Sequence, residues 1–208
     1  MHRSYAILFA ATLTACVAMV GAFGCASKSD VVRSSEVAAD TERARERNAA
    51  AFERLQAGEL GRAEALLREA IDADVGFGPA RNNLGLVHFR RGNFYEAAWE
   101  FQNAIKLMPY QPEPRNNLGL VFEKAGKLDD AVTEFAAAVE LQPGNAEFLG
   151  NLVRSRVRRG DAGRAASEED RRVTRELLGE LVLRETRPEW KQWAELQLAK
   201  LAEPLDAE

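Results

Sequence analysis

Cysteine is almost absent: the two present, Cys16 and Cys25, both fall in the first 25 residues. The rest of the chain can therefore hold neither a disulfide nor a thiolate metal site, and its stability has to come from packing. Histidine is equally scarce, His2 and His88 being too few and too far apart for a histidine-ligated metal. Beyond position 35 the only serines are Ser155 and Ser167. No GxGxxG, GxxxxGK(S/T), HExxH or GxSxG pattern occurs, so no phosphate cradle, zinc hydrolase or nucleophile elbow is announced. A basic excess is also missing. The formal net charge of −4 argues against a nucleic-acid partner, because phosphate binding needs a basic face. Carboxylate pairs such as Asp129-Asp130 and Glu168-Glu169 are expected at turns and helix starts, where such charge is favourable without any chemistry. The absences together predict a non-enzyme with no cofactor, no metal and no nucleic acid.

From Ser4 to Ser27 no residue is charged, and the run YAILFAATLTACVAMVGAF follows a short start bearing Arg3. That order reads as a secretory signal. The run closes in GAFGCASKSD, where small residues flank Cys25 and polar sequence resumes at once. This resembles the lipobox of bacterial lipoproteins, in which the cysteine receives lipid and becomes the mature N-terminus. Ala22 and Phe23 depart from the family's leucine and small residue at those two places. LTAC, ending at Cys16, fits locally but would leave VAMVGAFG as an exposed apolar tail. Cys25 is the expected lipidation site, with Cys16, or an uncleaved anchor helix for which about 20 apolar residues suffice, as alternatives. The resemblance implies export and lipid anchoring in the bacterial cell envelope, with residues 1–25 as signal and 26–43 as a flexible spacer.

The heptad RNNLGLV occurs at Arg81–Val87 and again at Arg115–Val121. Aligning residues 78–111 with 112–145 gives 14 identities in 34 positions without a gap, among them Gly92/Gly126, Ala97/Ala131, Phe101/Phe135 and Pro109/Pro143. A period in this range marks a solenoid of stacked supersecondary units. The pattern resembles the tetratricopeptide repeat, two antiparallel helices per 34 residues. On that family's pattern Leu84-Gly85 and Leu118-Gly119 supply the Leu-Gly pair of each first helix. Gly92 and Gly126 end it, and Ala97, Phe101, Ala104 with Ala131, Phe135, Ala138 form the apolar stripe of the second. Glycine inside a helix costs about 1 kcal/mol relative to alanine, so Gly85 and Gly119 are expected at close helix contacts. Alanine, common there in the family, is expected to be tolerated at Gly119.

A weaker copy occupies residues 44–77, and another 146–179, in which Glu169 and Arg172 replace apolar core positions, so that copy is expected to decay after its first helix. The predicted fold is all-α: a tetratricopeptide-type solenoid of two strong and two degenerate repeats, 44–179. Residues 180–208 follow as a C-terminal capping segment, with Trp190, Trp193, Leu196 and Leu201 on one face of its last helix. An end unit must cover its neighbour's core.

The resemblance implies that the first helices line an inner groove where partners bind. Asn82 and Leu86 are four residues apart and share one helix face, and Asn116 and Leu120 repeat them. Asn83, Asn117 and Asn151 form a second row, where some family members carry an asparagine ladder that holds extended peptide backbone. The alternative is that these asparagines satisfy neighbouring helices and bind nothing. The lysine-rich carboxylate clamp of cochaperone members is not matched, since Asn, Leu, Phe89 and Glu123 stand at the corresponding inner positions. The expected role is an interaction scaffold for a protein or peptide partner, assisting assembly of an envelope complex such as a pilus, a secretion system or the cell wall. A glycan- or peptidoglycan-binding module is the alternative, which would need exposed aromatics in the groove.

Overall fold

The computed structural model describes residues 39–161 and 167–202, so the expected signal, Cys25, Cys16 and most of the expected spacer lie outside the described residues. Within them the chain forms nine helices and no strand: α1 (Thr41–Gln56), α2 (Leu60–Ala73), α3 (Gly78–Arg90), α4 (Phe94–Leu107), α5 (Pro112–Lys124), α6 (Leu128–Leu141), α7 (Ala146–Asp161), α8 (Glu168–Arg184) and α9 (Pro188–Ala202). None of these helices is long and apolar enough to cross a membrane. Helix α1 takes the last residues assigned to the spacer, because the Asp40 side chain accepts from the Arg43 N–H and caps the helix there.

The hairpins α1–α2, α3–α4 and α5–α6 turn on the same device. Gly58, Gly92 and Gly126 have φ of 75°, 80° and 72°, a left-handed conformation that glycine enters without a Cβ penalty. The amide following each glycine reaches back to a carbonyl five residues earlier, as Asn93 to His88 and Lys127 to Phe122. These Schellman bonds satisfy the last carbonyls of the first helix. Gly160, one repeat period after Gly126, instead lies inside α7.

Each core cluster spans one hairpin and the first helix of the next. Ala51, Leu55, Ala63 and Leu67 pack with Leu84 and Val87 of α3; Ala97 and Phe101 pack with Leu118 and Val121 of α5; Ala131 and Phe135 pack with Leu152 of α7. Burial is thus shared between nearest neighbours, as a solenoid requires. An added Cβ on Gly85 would stand 2.6 Å from the Phe101 ring, and on Gly119 2.7 Å from the Phe135 ring. Both rings are fully buried. The two glycines are packing glycines, and the expected tolerance of alanine at Gly119 is corrected: a methyl group there cannot be accommodated unless a closed-in ring moves.

The fourth unit does not decay after its first helix. Its second helix, α8, buries Thr174, Leu178 and Leu181, which repeat the spacing of Ala131, Phe135 and Ala138. They lie 43 residues further along rather than 34. Glu169 and Arg172 are exposed and pair with each other. Helix α9 then acts as the first helix of a further unit. Ala194, with Trp193, Leu198 and Leu201 beside it, packs on Leu149, Val153, Leu178 and Leu181. Leu196 is not on this face; it is 54% exposed, and Leu198 takes the expected place. The Trp190 ring is held by the Arg154 and Arg187 guanidinium groups, each 5.4 Å from its centroid, and meets Trp193 edge-on at 6.0 Å.

Candidate functional site: the face of the first helices

Consecutive first helices touch, α1 on α3, α3 on α5, α5 on α7, so side chains at equivalent positions form rows across the repeats. The heptad RNNLGLV can be read residue by residue on this arrangement. Its arginine reaches the second helix of its own unit, Arg81 to Glu100 and Arg115 to Glu134, both at 3.1 Å. Leu84 and Leu118 enter the core, and the glycines admit the phenylalanine rings.

The two asparagines serve opposite neighbours. The side-chain N–H of Asn83 donates to the Asn48 oxygen at 2.8 Å, Asn117 to Asn82 at 3.0 Å, and Asn151 to Asn116 at 2.8 Å. The second asparagine of each unit is thus the donor to the first asparagine of the unit before. Asn116 is 4% exposed and Asn151 7%, and the Asn151 oxygen also accepts from Arg154. These two are committed to the joint between α5 and α7. Asn82, Asn83 and Asn117 are half-buried, and no hydrogen bond to the oxygen of Asn83 or Asn117 forms among the described residues. Sequence reasoning missed Asn48, although shifting Asn82 back by one period finds it. The rows stop where partners stop: Ala49 stands at the donor position of the first unit and Gly150 at the acceptor position of the last.

Leu86 and Leu120 are half-buried beside the asparagines. A cavity of about 390 Å³ opens between α3, α5 and α7, lined by Phe89, Leu120, Glu123, Lys124, Arg154 and Arg158. Phe89 leans on Phe94 with ring centroids 5.7 Å apart. Glu123 is buried, which alone would raise its pKa. Hydrogen bonds and charge from Arg154 at 3.2 Å and then Arg158 at 2.7 Å outweigh that and hold the carboxyl below its ordinary range. A second cleft, of about 610 Å³, lies at the start of α3 and α5 and includes Asn82, Asn83, Tyr110 and Glu113. Tyr110, the most exposed aromatic among the described residues at 84%, lines this cleft, whereas Tyr95 and Trp99, also exposed, stand on the second helix α4. Among the described residues no group of three His, Cys, Asp or Glu side chains is placed to hold a metal ion.

The family profile described as tetratricopeptide repeat matches residues 48–112 and 116–177, together more than half of the chain. No curated protein sequence matches significantly. Solved structures share the fold at low identity. The first tetratricopeptide domain of Spaghetti (RPAP3) bound to the HSP90 peptide SRMEEVD is 20% identical, with TM-score 0.55, covering 57% of this chain and 94% of that one. MamA is 18% identical, with TM-score 0.56 over 78% and 84% of the two chains. The O-GlcNAc transferase of Thermobaculum terrenum is 23% identical, with TM-score 0.59 over 70% of this chain; the match spans only 26% of that protein.

Proposed function

Because this chain belongs to the tetratricopeptide-repeat family, we propose that it is a non-enzymatic scaffold that binds an extended segment of a partner protein along the face of its first helices. The observation that carries the reading is half-buried Leu120, which lines an open cavity with Phe89, and half-buried Leu86 at the same position one repeat earlier. The structural neighbour bound to a short HSP90 peptide supports an occupant of peptide size. Leu86 and Leu120 supply the apolar contact, and the open oxygens of Asn83 and Asn117 accept from peptide N–H groups. Asn48 holds Asn83 in place and Asn82 holds Asn117, while Asn116 and Asn151 form the next joint between units. A glycan reading finds less support, because of the three most exposed aromatics among the described residues only Tyr110 lies beside the asparagines, while Tyr95 and Trp99 stand on the second helix α4.

The same proposal places the array at a bacterial envelope membrane, tethered through lipid on Cys25, where it assists assembly of an envelope complex. Its support is the apolar run that ends at Cys25 and turns polar immediately afterwards. Intact-mass measurement of membrane-purified protein tests the tether; a species starting at Val17, or an intact leader, excludes it. The groove is tested by affinity capture from detergent-solubilised envelope with wild type and with Leu86→Asp/Leu120→Asp. A partner recovered by both proteins in equal yield removes the groove from the account.

A further inference from the structure

Three rows cross the face of the first helices in repeat register. Near the helix starts stand Glu113, Glu147 and Glu189, all exposed. Along the middle run Phe52, Leu86 and Leu120, with Leu196 in the same place on α9. Near the ends stand Arg90, Lys124, Arg158 and Lys200, one exposed cation for each first helix from α3 to α9. Helix dipoles favour acid at a start and base at an end. Any residue of the last turn would satisfy a dipole, however, and the second helices α2 and α6 carry no cation there at all. The dipole therefore explains the sign of the row but not its alignment on one face, with Arg90, Lys124 and Arg158 at 34-residue intervals and Lys200 a further 42 residues on.

The row carries a net positive charge. Lys124 and Lys200 make no ion pair among the described residues, and Arg90 donates to a neutral acceptor, the Leu55 carbonyl, at 2.5 Å. Arg158 shares the single carboxylate of Glu123 with Arg154. All this lies on a chain of net charge −4, so an acidic ligand is repelled elsewhere and drawn here.

Spacing then selects the ligand's backbone. Packed helices lie about 8–10 Å apart, and α3, α5 and α7 touch in turn, so Arg90, Lys124 and Arg158 repeat at about that distance along the groove. A polyproline II segment has three residues per turn and rises about 3.1 Å per residue, which returns every third side chain to the same side after about 9 Å. A β-strand alternates sides with period two and puts every other third residue on the wrong side.

We propose that the groove takes an acidic segment in polyproline II conformation. Carboxylates at every third residue face the cation row, apolar side chains at the next position meet Leu86 and Leu120, and the glutamate row repels the opposite register. This deepens the scaffold reading and rests on it.

The test titrates the full chain, in detergent, with a fluorescent peptide of four Glu-Pro-Leu triplets. Comparison peptides carry lysine for glutamate, or the same composition scrambled, and anisotropy is read at low and high salt. The triplet peptide is expected to bind about tenfold more tightly than the lysine peptide, with affinity falling as salt rises. Lys124→Glu and Lys200→Glu, whose side chains hold nothing in the fold, are expected to weaken binding several-fold together while leaving helicity unchanged. Equal binding of the lysine or scrambled peptide, or indifference to both substitutions, overturns the proposal. A second arm selects binders from an unbiased peptide library. Binders lost with Leu86→Asp/Leu120→Asp but lacking acidic triplets overturn the acidic inference and leave the scaffold reading standing, whereas binders indifferent to that variant overturn both.

Discussion

Replacing Gly119 by alanine sets two opposed effects on one position. Alanine is the better helix former by about 1 kcal/mol, and an exposed helical glycine would gain that amount. At Gly119, however, the new Cβ would stand 2.7 Å from two carbons of the Phe135 ring and 3.0 Å from a third. Carbon atoms rest at about 3.5–4.0 Å, so the ring has to retreat by close to 1 Å. Phe135 is fully buried between Ala131, Val132 and Leu152, and overpacking of this kind costs about 1–3 kcal/mol. The packing effect outweighs the propensity gain, with a net loss of up to about 2 kcal/mol, or up to roughly 8 °C in melting midpoint for a chain of this size. Gly179, in the middle of α8, has nothing within 4 Å of its hypothetical Cβ. Gly179→Ala is therefore expected to stabilise by about 0.5–1 kcal/mol. The assay is thermal and urea unfolding of wild type, both single variants, and Gly119→Ala combined with Phe135→Leu. The double variant is expected to lose less than the sum of its parts, since the smaller side chain vacates the space the methyl needs. If Gly119→Ala raises stability as Gly179→Ala does, the ring is not held against the glycine and the packing argument is wrong.

The asparagine joints make a different prediction: Asn151→Ala is expected to destabilise by about 1–3 kcal/mol because it strands a buried oxygen of Asn116, and adding Asn116→Ala should cost little more. A double-mutant cycle in urea checks this, and simple additivity would refute the joint. Glu185 lies buried at the α8–α9 turn, where its hydrogen bond to Arg187 lowers its pKa from 4.5 to about 2. A carboxyl depressed in the folded state contributes stability above its unfolded pKa and loses it as pH falls through the folded one. Wild type is therefore expected to lose stability between about pH 4.5 and 2 more steeply than Glu185→Gln; parallel slopes in urea titrations would contradict it. Deleting residues 188–208 uncovers Leu149, Val153, Leu178 and Leu181 and is expected to cause self-association, measured by light scattering; a truncated monomer as stable as the whole would show that α9 covers nothing.

The hairpins of residues 78–145 were legible because two copies in the same register expose their shared positions. The glycine contacts followed, since a residue that weakens a helix twice in the same place has to be compensated by what it touches. The fourth unit was not legible beyond its first helix. A gapless shift of 34 lands on Glu169 and Arg172, while Thr174, Leu178 and Leu181 lie nine residues later, beyond a longer connection. Leu196 was misplaced because it is six residues from Trp190, which turns it well away from the packed side of α9. The asparagine rows were visible, but not that each row is the other's partner. Residues that play one role in successive units differ by 34; residues that touch across a joint differ here by 35, an offset set by how neighbouring helices lie and not by the repeat itself.

The joints also give the array a direction and a rule of growth. Each interior unit carries a plug, the N–H of Asn83 or Asn117, and a socket, the oxygen of Asn82 or Asn116. The first unit has only the socket, Asn48, and the fourth only the plug, Asn151. A duplicated interior unit would arrive with both halves and could be spliced in after any unit but the last without leaving an amide unmatched. A duplicated end unit could not. Gene duplication can therefore lengthen this protein from its middle at little cost to folding, while its ends act as terminators.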